Sequence, residues 1–140
     1  MKLRLHNYWR SSASYRVRIG LGLANLDYEY VVVNIIKDGG AQHSPEYRAK
    51  NPMAQVPTLE VVHDDGRSVY LAQSLPILEF LVDALSAPLL PADPYARALA
   101  RALAEIINSG IQPLQNLTTT RKIKALGGDD GAWVRDCVET

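Results

Sequence analysis

The sequence predicts an α/β domain built on a mixed four-stranded sheet, followed by a shorter helical region. Over residues 1–85 the predicted elements run strand, helix, strand, helix, hairpin, helix, an order that packs economically as one sheet covered by helices. Two closely spaced prolines then interrupt the periodicity over residues 86–93, which indicates a linker. Alanine-rich helical spacing resumes over residues 94–140, so we expect a first domain, a linker and a partial all-helical domain with these bounds.

The first half of the predicted sheet is a parallel unit. Leu3 and Leu5 alternate with polar residues, as in a short strand. A helix is expected from residues 11–12 onward, and a β-branched and aromatic run over residues 28–35 predicts a second strand, parallel to the first and buried on both faces. Residues 44–46 read Ser-Pro-Glu, which is typical of a helix start. The inner face predicted for the first helix comprises Val17, Gly20, Leu21 and Ala24.

The second half of the predicted sheet is an antiparallel hairpin. Residues 58–62 and 68–72 are its strands, and Asp64, Asp65 and Gly66 form the turn between them. Ser74 is then expected to cap a further helix. The apolar face of that helix comprises Ile77, Leu78, Leu81, Val82 and Leu85.

The helical region after the linker starts with a second cap-and-proline pattern. Asp93 is the predicted N-cap and Pro94 the first helical residue. Pro113 is expected to kink or break the long helix, because it lacks a backbone donor. Glycines and aspartates over residues 127–131 end this element, and residues 132–140 predict the opening turns of another helix.

Composition excludes several classes of function. Fifteen basic and fifteen acidic residues cancel, which gives no electrostatic basis for binding nucleic acid or an anionic membrane. The apolar stretches are too short to span a bilayer, and the first residues lack the apolar run of a signal peptide. The single cysteine, Cys137, permits no internal disulfide, so a reducing, cytoplasmic location is expected. His6, His43 and His63 are scattered, and no metal site is expected.

The first candidate binding segment lies at a junction between a strand and a helix. Ser11, Ser12 and Ser14 fall at the start of the first predicted helix. A helix N-terminus presents free amides and a partial positive charge, both of which favour an anion, and a serine hydroxyl there can donate to a thiolate. Ordinary N-capping explains the same serines, so the residues alone leave both interpretations open.

Two further segments have comparable potential. Pro57 opens a strand after a loop and is a candidate for a cis peptide bond, which would turn the Val56 amide and carbonyl outward toward an extended peptide. Gln73 and Ser74 lie at another helix N-terminus and could bind a carboxylate. A simple strand-opening proline and a plain N-cap are the respective alternatives.

Taken together, the three segments resemble the glutathione site of the thioredoxin-like domain in glutathione transferases. The run Ser-Ser-x-Ser-x-Arg-Val-Arg-Ile, which begins at Ser11, is similar to the zeta-class signature, and residues 110–117 look like a zeta-class segment. The resemblance implies a βαβαββα thioredoxin-like domain followed by the start of an all-α domain, with glutathione as cofactor. It also implies catalytic roles for Ser11 and Ser12. The glutathione-binding residues that it implies are Ser11, Ser12, Arg16, Gln42, Gln55, Val56, Gln73, Ser74, Gln112 and Asn116.

The activity implied by the resemblance is glutathione-dependent cis–trans isomerisation. The expected substrate is maleylacetoacetate, converted to fumarylacetoacetate, or a related cis-unsaturated diacid, by thiolate addition, bond rotation and elimination. A homodimer is expected from the same resemblance. The alternatives are a general glutathione S-transferase and a non-catalytic dimerisation or binding module. A thiol–disulfide oxidoreductase would need a cysteine at the first helix, and residues 11–14 contain none.

Two departures from the zeta pattern qualify the resemblance. Ala13 occupies the position where the signature usually has cysteine, so a thiol beside the substrate is not expected. Family members also continue beyond residue 140, which predicts a truncated helical domain. The late arginine that holds a substrate carboxylate in the family therefore has no counterpart to which it can be assigned.

Overall fold

The computed structural model describes residues 1–139. The chain divides into two compact units, Met1–Leu89 and Leu90–Thr140. The division falls inside residues 86–93, and the predicted linker bounds stay a prediction.

The first unit contains the predicted mixed sheet. Its strands are β1 (Lys2–Asn7), β2 (Glu29–Val32), β3 (Thr58–Val62) and β4 (Ser68–Ala72). They lie in the order β2-β1-β3-β4, with β1 parallel to β2 and antiparallel to β3, and with β3 antiparallel to β4. The predicted fold class is confirmed, because one parallel pair and one hairpin share the same sheet.

Three α-helices accompany the sheet. They are α1 (Ser12–Leu23), α2 (Pro45–Lys50) and α3 (Ser74–Leu85), and single turns of 3-10 helix at Lys37–Gly39 and Ala41–His43 precede α2. Ser44 caps α2 as predicted, since its Oγ accepts the Tyr47 amide at 3.2 Å. The core lies between the sheet and helices α1 and α3, and its buried residues are Leu3, Leu5, Val17, Leu21, Leu59, Val61, Ile77, Leu81 and Ala87.

Strand β2 differs from the prediction. The predicted strand over residues 28–35 was to be buried on both faces, whereas β2 is only four residues long and largely exposed. Tyr30 is 42% and Val32 68% exposed. The reason is topological, because β2 lies at the edge of the sheet and pairs only with β1. A β-branched run shows that a segment favours a strand, but not where the strand lies in the sheet.

The second unit is helical. It contains α4 (Pro94–Glu105), a π-helical turn (Ile106–Ile111), α5 (Leu117–Ala125) and α6 (Asp130–Glu139). Asp93 caps α4 as predicted, with its Oδ2 accepting the Ala96 amide at 2.7 Å. Regular α-helix ends at Glu105, well before Pro113. The break in the helix that Pro113 predicted therefore takes the form of a π-helical turn. The last helix begins at Asp130, two residues earlier than predicted, and the predicted residue Thr140 lies outside the described residues.

Residues 1–139 contain neither a candidate metal cluster nor a candidate membrane-spanning helix. No three His, Cys, Asp or Glu side chains in this part of the chain form a group that could hold a metal ion. No helix within it combines the length and the apolar character needed to cross a bilayer.

Candidate functional site

The sheet topology brings the predicted binding segments to one end of the first unit. In the antiparallel pairs, His6 lies opposite Thr58 and Thr58 lies opposite Ala72, while in the parallel pair Asn7 lies beside Val32. Strands β1, β2 and β4 therefore end, and strand β3 begins, at the same end of the sheet. The loops and the first helical turns at that end of the sheet contain Ser11, Ser12, Arg16, Gln42, Gln55, Val56, Gln73 and Ser74.

Ser11 occupies the N-cap of α1. Its Oγ accepts the Ser14 amide at 3.1 Å, and its own amide donates to the Tyr8 carbonyl at 3.1 Å. The capping interpretation is thus confirmed, but it uses only the oxygen lone pair, and the hydroxyl proton remains available to another acceptor. Ser12 is the first helical residue and is exposed. Both serines lie beside the free amides of the first turn, where an anion is favoured.

Ser14 has a different environment from the other two serines. Its side chain is completely buried, and its Oγ has no hydrogen-bond partner among residues 1–139. A buried hydroxyl without a partner costs roughly 1–3 kcal/mol. Its burial one turn into the helix separates it from the exposed helix start that Ser12 occupies.

The start of α3 is held in an unusual conformation. Gln73 is the N-cap and has a φ of 70°, a left-handed conformation that costs a non-glycine residue about 1–3 kcal/mol. Ser74 is the first helical residue and is 3% exposed. The prediction that Ser74 caps the helix is wrong, because no side chain caps α3 and the Ser74 Oγ instead accepts from Arg16 Nη1 at 2.7 Å. Arg16 thereby connects α1 to the α3 N-terminus.

The loop before β3 meets the same helix start. The Val56–Pro57 peptide bond is cis, which confirms the prediction. Gln73 Nε2 donates to Gln55 Oε1 at 3.2 Å and lies 3.3 Å from the sulfur of Met53. Within residues 1–139, no backbone hydrogen bond outside the helices and strands involves Val56. The loop before β3 and the start of α3, which are the second and third predicted segments, therefore contact each other. The Val56 peptide group beside this contact is available to a ligand.

Two residues that sequence reasoning missed hold this loop in place. The Tyr47 hydroxyl donates to the Gln55 carbonyl at 2.7 Å and lies 2.9 Å from Thr58 Oγ1. Asn51 Nδ2 donates to the same carbonyl at 2.8 Å and to Thr58 Oγ1 at 3.1 Å. Burial raises the pKa of the Tyr47 hydroxyl, which keeps it protonated as a donor. These hydrogen bonds depend on the tertiary structure and therefore have no clear sequence signal. The only local indication was the asparagine at the end of α2.

Gln42 lies in the 3-10 turn before α2. Its Nε2 is 3.5 Å from the Ile35 carbonyl, and its Oε1 is buried without a hydrogen-bond partner in the described part of the chain. Gly40 has a φ of 96°, and a Cβ at this position would overlap the Gln42 side chain. The turn therefore needs glycine for its conformation, and a larger residue would also displace the end of the Gln42 side chain.

The two remaining predicted residues belong to the second unit. The Gln112 amide donates to the Ile107 carbonyl at 2.9 Å in the π turn. Asn116 caps α5, with its Oδ1 accepting the Thr118 amide at 3.0 Å. Both have local structural roles, and their predicted roles in binding stay predictions.

A buried charged group lies on the face of the sheet opposite α1 and α3. Glu60 Oε2 is 2.9 Å from His6 Nε2, and Glu60 Oε1 accepts from Ser68 Oγ at 2.8 Å. Burial alone would raise the pKa of Glu60, but the hydrogen bonds from His6 and Ser68, together with the nearby Lys50 ammonium, outweigh it and hold the pKa below its ordinary value. Glu60 is therefore ionised inside the fold.

Comparison with known proteins identifies the class that this fold and site define. Residues 10–84 match the family described as "Glutathione S-transferase, N-terminal domain". That match spans more than half of the chain and includes all three predicted segments. The chain belongs to the glutathione S-transferase family.

Individual relatives narrow the resemblance to the zeta class. The chain is 50% identical over 120 residues to "Maleylacetoacetate isomerase" of Rattus norvegicus, a match that covers 85% of this chain and 53% of the relative. A crystal structure of maleylacetoacetate isomerase from Anaeromyxobacter dehalogenans, with bound GSH in the active site, is 46% identical and has a TM-score of 0.84, covering 99% of this chain and 63% of that one. A holo structure of maleyl pyruvate isomerase, described as a bacterial glutathione S-transferase in the zeta class, is 35% identical and also has a TM-score of 0.84, with coverage of 97% of this chain and 63% of that one. The chain thus spans between about half and two thirds of the length of these relatives.

Proposed function

We propose that this chain is the glutathione-binding part of a cis–trans isomerase that acts on maleylacetoacetate or a related cis-unsaturated diacid. The observation that carries the proposal is the convergence of Ser11, Val56, Gln73 and Ser74 at one end of the sheet, in a chain 46% identical to an isomerase crystallised with GSH in its active site. The sheet topology thus supports the glutathione site that the three sequence segments predicted.

The residues present fit glutathione, a tripeptide with two carboxylates and a thiol. The α3 N-terminus at Gln73 and Ser74 suits the γ-glutamyl carboxylate, because its amides are unpaired within the helix and Arg16 adds a positive charge nearby. Val56 can pair with the cysteinyl peptide group as a neighbouring strand would. The buried Oε1 of Gln42 lacks a partner among residues 1–139 and would gain one from a ligand amide.

Ser11 is the residue that we assign to thiol activation, with Ser12 assisting. Bound glutathione would supply a thiolate that adds to the cis double bond; rotation about the resulting single bond and elimination of the thiolate then give the trans product. The Ser11 hydroxyl stabilises that thiolate by donating a hydrogen bond, and the α1 N-terminus adds a favourable potential. Lowering a thiol pKa by two to three units requires roughly 3–4 kcal/mol, which a charge-assisted hydrogen bond and a helix end can together approach.

The proposed activity is tested by turnover of maleylacetoacetate with added glutathione. The Rattus norvegicus relative serves as the positive control, and maleylpyruvate as a second substrate distinguishes the two diacids. Turnover by this chain, or by a version extended to the length of its relatives, is the expected result. Glutathione binding without turnover by either version, while the relative turns over, would contradict the isomerase proposal and favour a binding module.

We further propose a homodimer for the extended protein and a cytoplasmic location. The homodimer follows from the family resemblance, and the location from a single cysteine that can form no internal disulfide. Sedimentation of the extended version should give twice the monomer mass. A monomer at all accessible concentrations would contradict the proposed assembly.

A further inference from the structure

Arg18 joins three points of the loop between β1 and α1. Its Nη1 donates to Asn7 Oδ1 at 2.8 Å and to the Tyr8 carbonyl at 3.3 Å, and its Nη2 donates to the Trp9 carbonyl at 3.0 Å. Asn7 is completely buried and is fixed in turn by its own Nδ2, which donates to the Leu5 carbonyl at 2.9 Å. One guanidinium therefore ties two loop carbonyls to a rigid point at the end of β1.

The loop that Arg18 holds is the loop that places Ser11. The Tyr8 carbonyl that accepts from Arg18 also accepts the Ser11 amide at 3.1 Å. Ser11 then caps α1 through the Ser14 amide. Arg18 thus restrains the carbonyl to which the Ser11 backbone is bonded. This restraint fixes where the Ser11 hydroxyl lies relative to the free amides of the helix.

The surroundings of Arg18 keep its guanidinium in this position. Its Cζ lies 5.2 Å from the Tyr15 ring centre and 6.0 Å from the Tyr30 ring centre. Cation–π contacts of this kind suit arginine, and three acceptors spread over a fork cannot all be reached by a lysine ammonium. The site therefore depends on the shape of the guanidinium as well as on its charge.

We propose that Arg18 is a positioning residue for thiol activation: it acts through the Tyr8 and Trp9 carbonyls to hold Ser11, and it does not itself touch glutathione. This inference rests on the proposed function for its chemical consequence, because the group that Ser11 stabilises is the glutathione thiolate. Its structural part, the restraint on the loop, concerns the free protein alone. The two parts are tested by separate measurements.

The experiment compares Arg18→Met, Arg18→Lys and the control Arg67→Met, which removes an exposed arginine from the hairpin at the other end of the sheet. Hydrogen exchange of the Ser11 and Ser14 amides is measured without ligand. The pKa of the bound glutathione thiol is measured by the pH dependence of thiolate absorbance. Affinity for S-methylglutathione, which lacks the thiol, reports whether the rest of the site is intact.

We expect both Arg18 variants to exchange the Ser11 and Ser14 amides at least about tenfold faster and to raise the bound thiol pKa by about one unit, with S-methylglutathione affinity within about threefold of the unchanged chain. Arg67→Met should change none of these. Unchanged exchange in Arg18→Met would overturn the restraint. Full recovery of the thiol pKa in Arg18→Lys would overturn positioning in favour of a simple charge effect. If the unchanged chain failed to bind glutathione, the proposed function would be wrong. The exchange rates of the Ser11 and Ser14 amides would still show whether Arg18 restrains the loop.

Discussion

Ser11 combines two roles that sequence patterns alone could not separate. As the N-cap it stabilises α1 through the Ser14 amide, and as a half-buried hydroxyl donor it is placed to stabilise an anion at the same helix end. Because the cap uses the oxygen and the anion uses the proton, the two roles are compatible. Their energetic consequences differ, so they can be measured separately.

Replacement of Ser11 by alanine should affect both stability and thiol chemistry. We expect Ser11→Ala to lower the free energy of unfolding by about 1 kcal/mol through the lost cap, and to reduce isomerase turnover about 100-fold or more through the lost donor. The bound thiol pKa should rise, visible as lost thiolate absorbance. Asp93→Ala removes the cap of α4 and is the matched control, with a similar stability loss and an unchanged thiol pKa.

The same assay ranks the other serines. Ser14→Ala should leave the thiol pKa unchanged, because the Ser14 hydroxyl is buried. Ser12→Ala should have an intermediate effect. A crippling Ser12→Ala or Ser14→Ala combined with a mild Ser11→Ala would contradict the assignment of Ser11.

Glu60 makes stability depend on pH in a defined direction. Its pKa in the fold lies below the ordinary 4.5, so its contribution is present above that value and is lost as the pH falls through the folded pKa. We expect Glu60→Gln to destabilise the protein more at about pH 7 than at about pH 3.5, because the unchanged chain loses stability from its ionised carboxylate as the pH falls below the ordinary pKa. Urea unfolding at both pH values measures the difference. Equal losses at the two values would show that Glu60 contributes no ionised interaction.

Prediction of individual residues succeeded where the signal was local. Ser44 and Asp93 were each predicted as helix caps from adjacent residues, and each caps its helix. For Ser11 capping was one of two interpretations left open, and Ser11 does cap α1. Ser74 was predicted wrongly, because the left-handed conformation of the preceding residue has no distinctive signal in the sequence. The partners of Tyr47 were missed for a related reason, since side chain to backbone bonds across a loop follow from the tertiary fold.

At the scale of elements, the packing of α1 on α3 distinguishes two glycines of the same helix. A Cβ on Gly20 would overlap the Leu78 side chain of α3 and approach Leu89, whereas a Cβ on Gly22 would meet nothing within 4 Å. Alanine at an open helical position stabilises by about 0.5–1 kcal/mol relative to glycine. The same change in a close-packed contact forces neighbouring side chains to move.

We therefore expect Gly22→Ala to raise the free energy of unfolding by about 0.5–1 kcal/mol and Gly20→Ala to lie about 1–2 kcal/mol below it. Each glycine variant is the control for the other, because both are in α1. Thermal unfolding of the two variants side by side gives the difference. Equal stabilisation by both would contradict close contact between α1 and α3 at this point.

Helix α2 and the loop before β3 form a second pair of coupled elements. Tyr47→Phe removes a donor to the Gln55 carbonyl and leaves the Asn51 amide as its remaining side-chain donor. We expect a stability loss of about 1–2 kcal/mol, and an affinity for S-methylglutathione that falls several-fold, because the restraint on the Val56 peptide is weaker. Tyr95→Phe, at an exposed position in α4, is the control. Unchanged affinity in Tyr47→Phe would show that the loop is held without this hydroxyl.

Elements were predicted well from periodicity and less well from residue type. The hairpin strands match residues 58–62 and 68–72, because the turn between the two runs shows where one strand ends and the other begins. The burial of β2 was wrong, since edge and central strands share the same β-branched composition. The π turn at Ile106–Ile111 was also not predicted, because Pro113 indicates a break but not the geometry that accommodates it.

For the whole molecule, the fold concentrates the candidate site in the first unit. A formal net charge of zero means that an anionic tripeptide must be held by local groups, and two helix N-termini, at α1 and α3, supply them. Family membership supports the same interpretation, and the match to the N-terminal family spans residues 10–84. The claim that follows is that residues of this unit bind glutathione.

Calorimetric titration of the chain with glutathione tests that claim most directly. We predict a saturable heat with a Kd of about 1 mM or tighter, weakened at least about tenfold in Ser74→Ala, whose hydroxyl connects Arg16 to the α3 N-terminus. S-methylglutathione should bind with similar affinity, because the carboxylate and peptide contacts do not involve the thiol. Absence of heat at millimolar glutathione, with the protein folded by circular dichroism, would contradict glutathione binding by this chain.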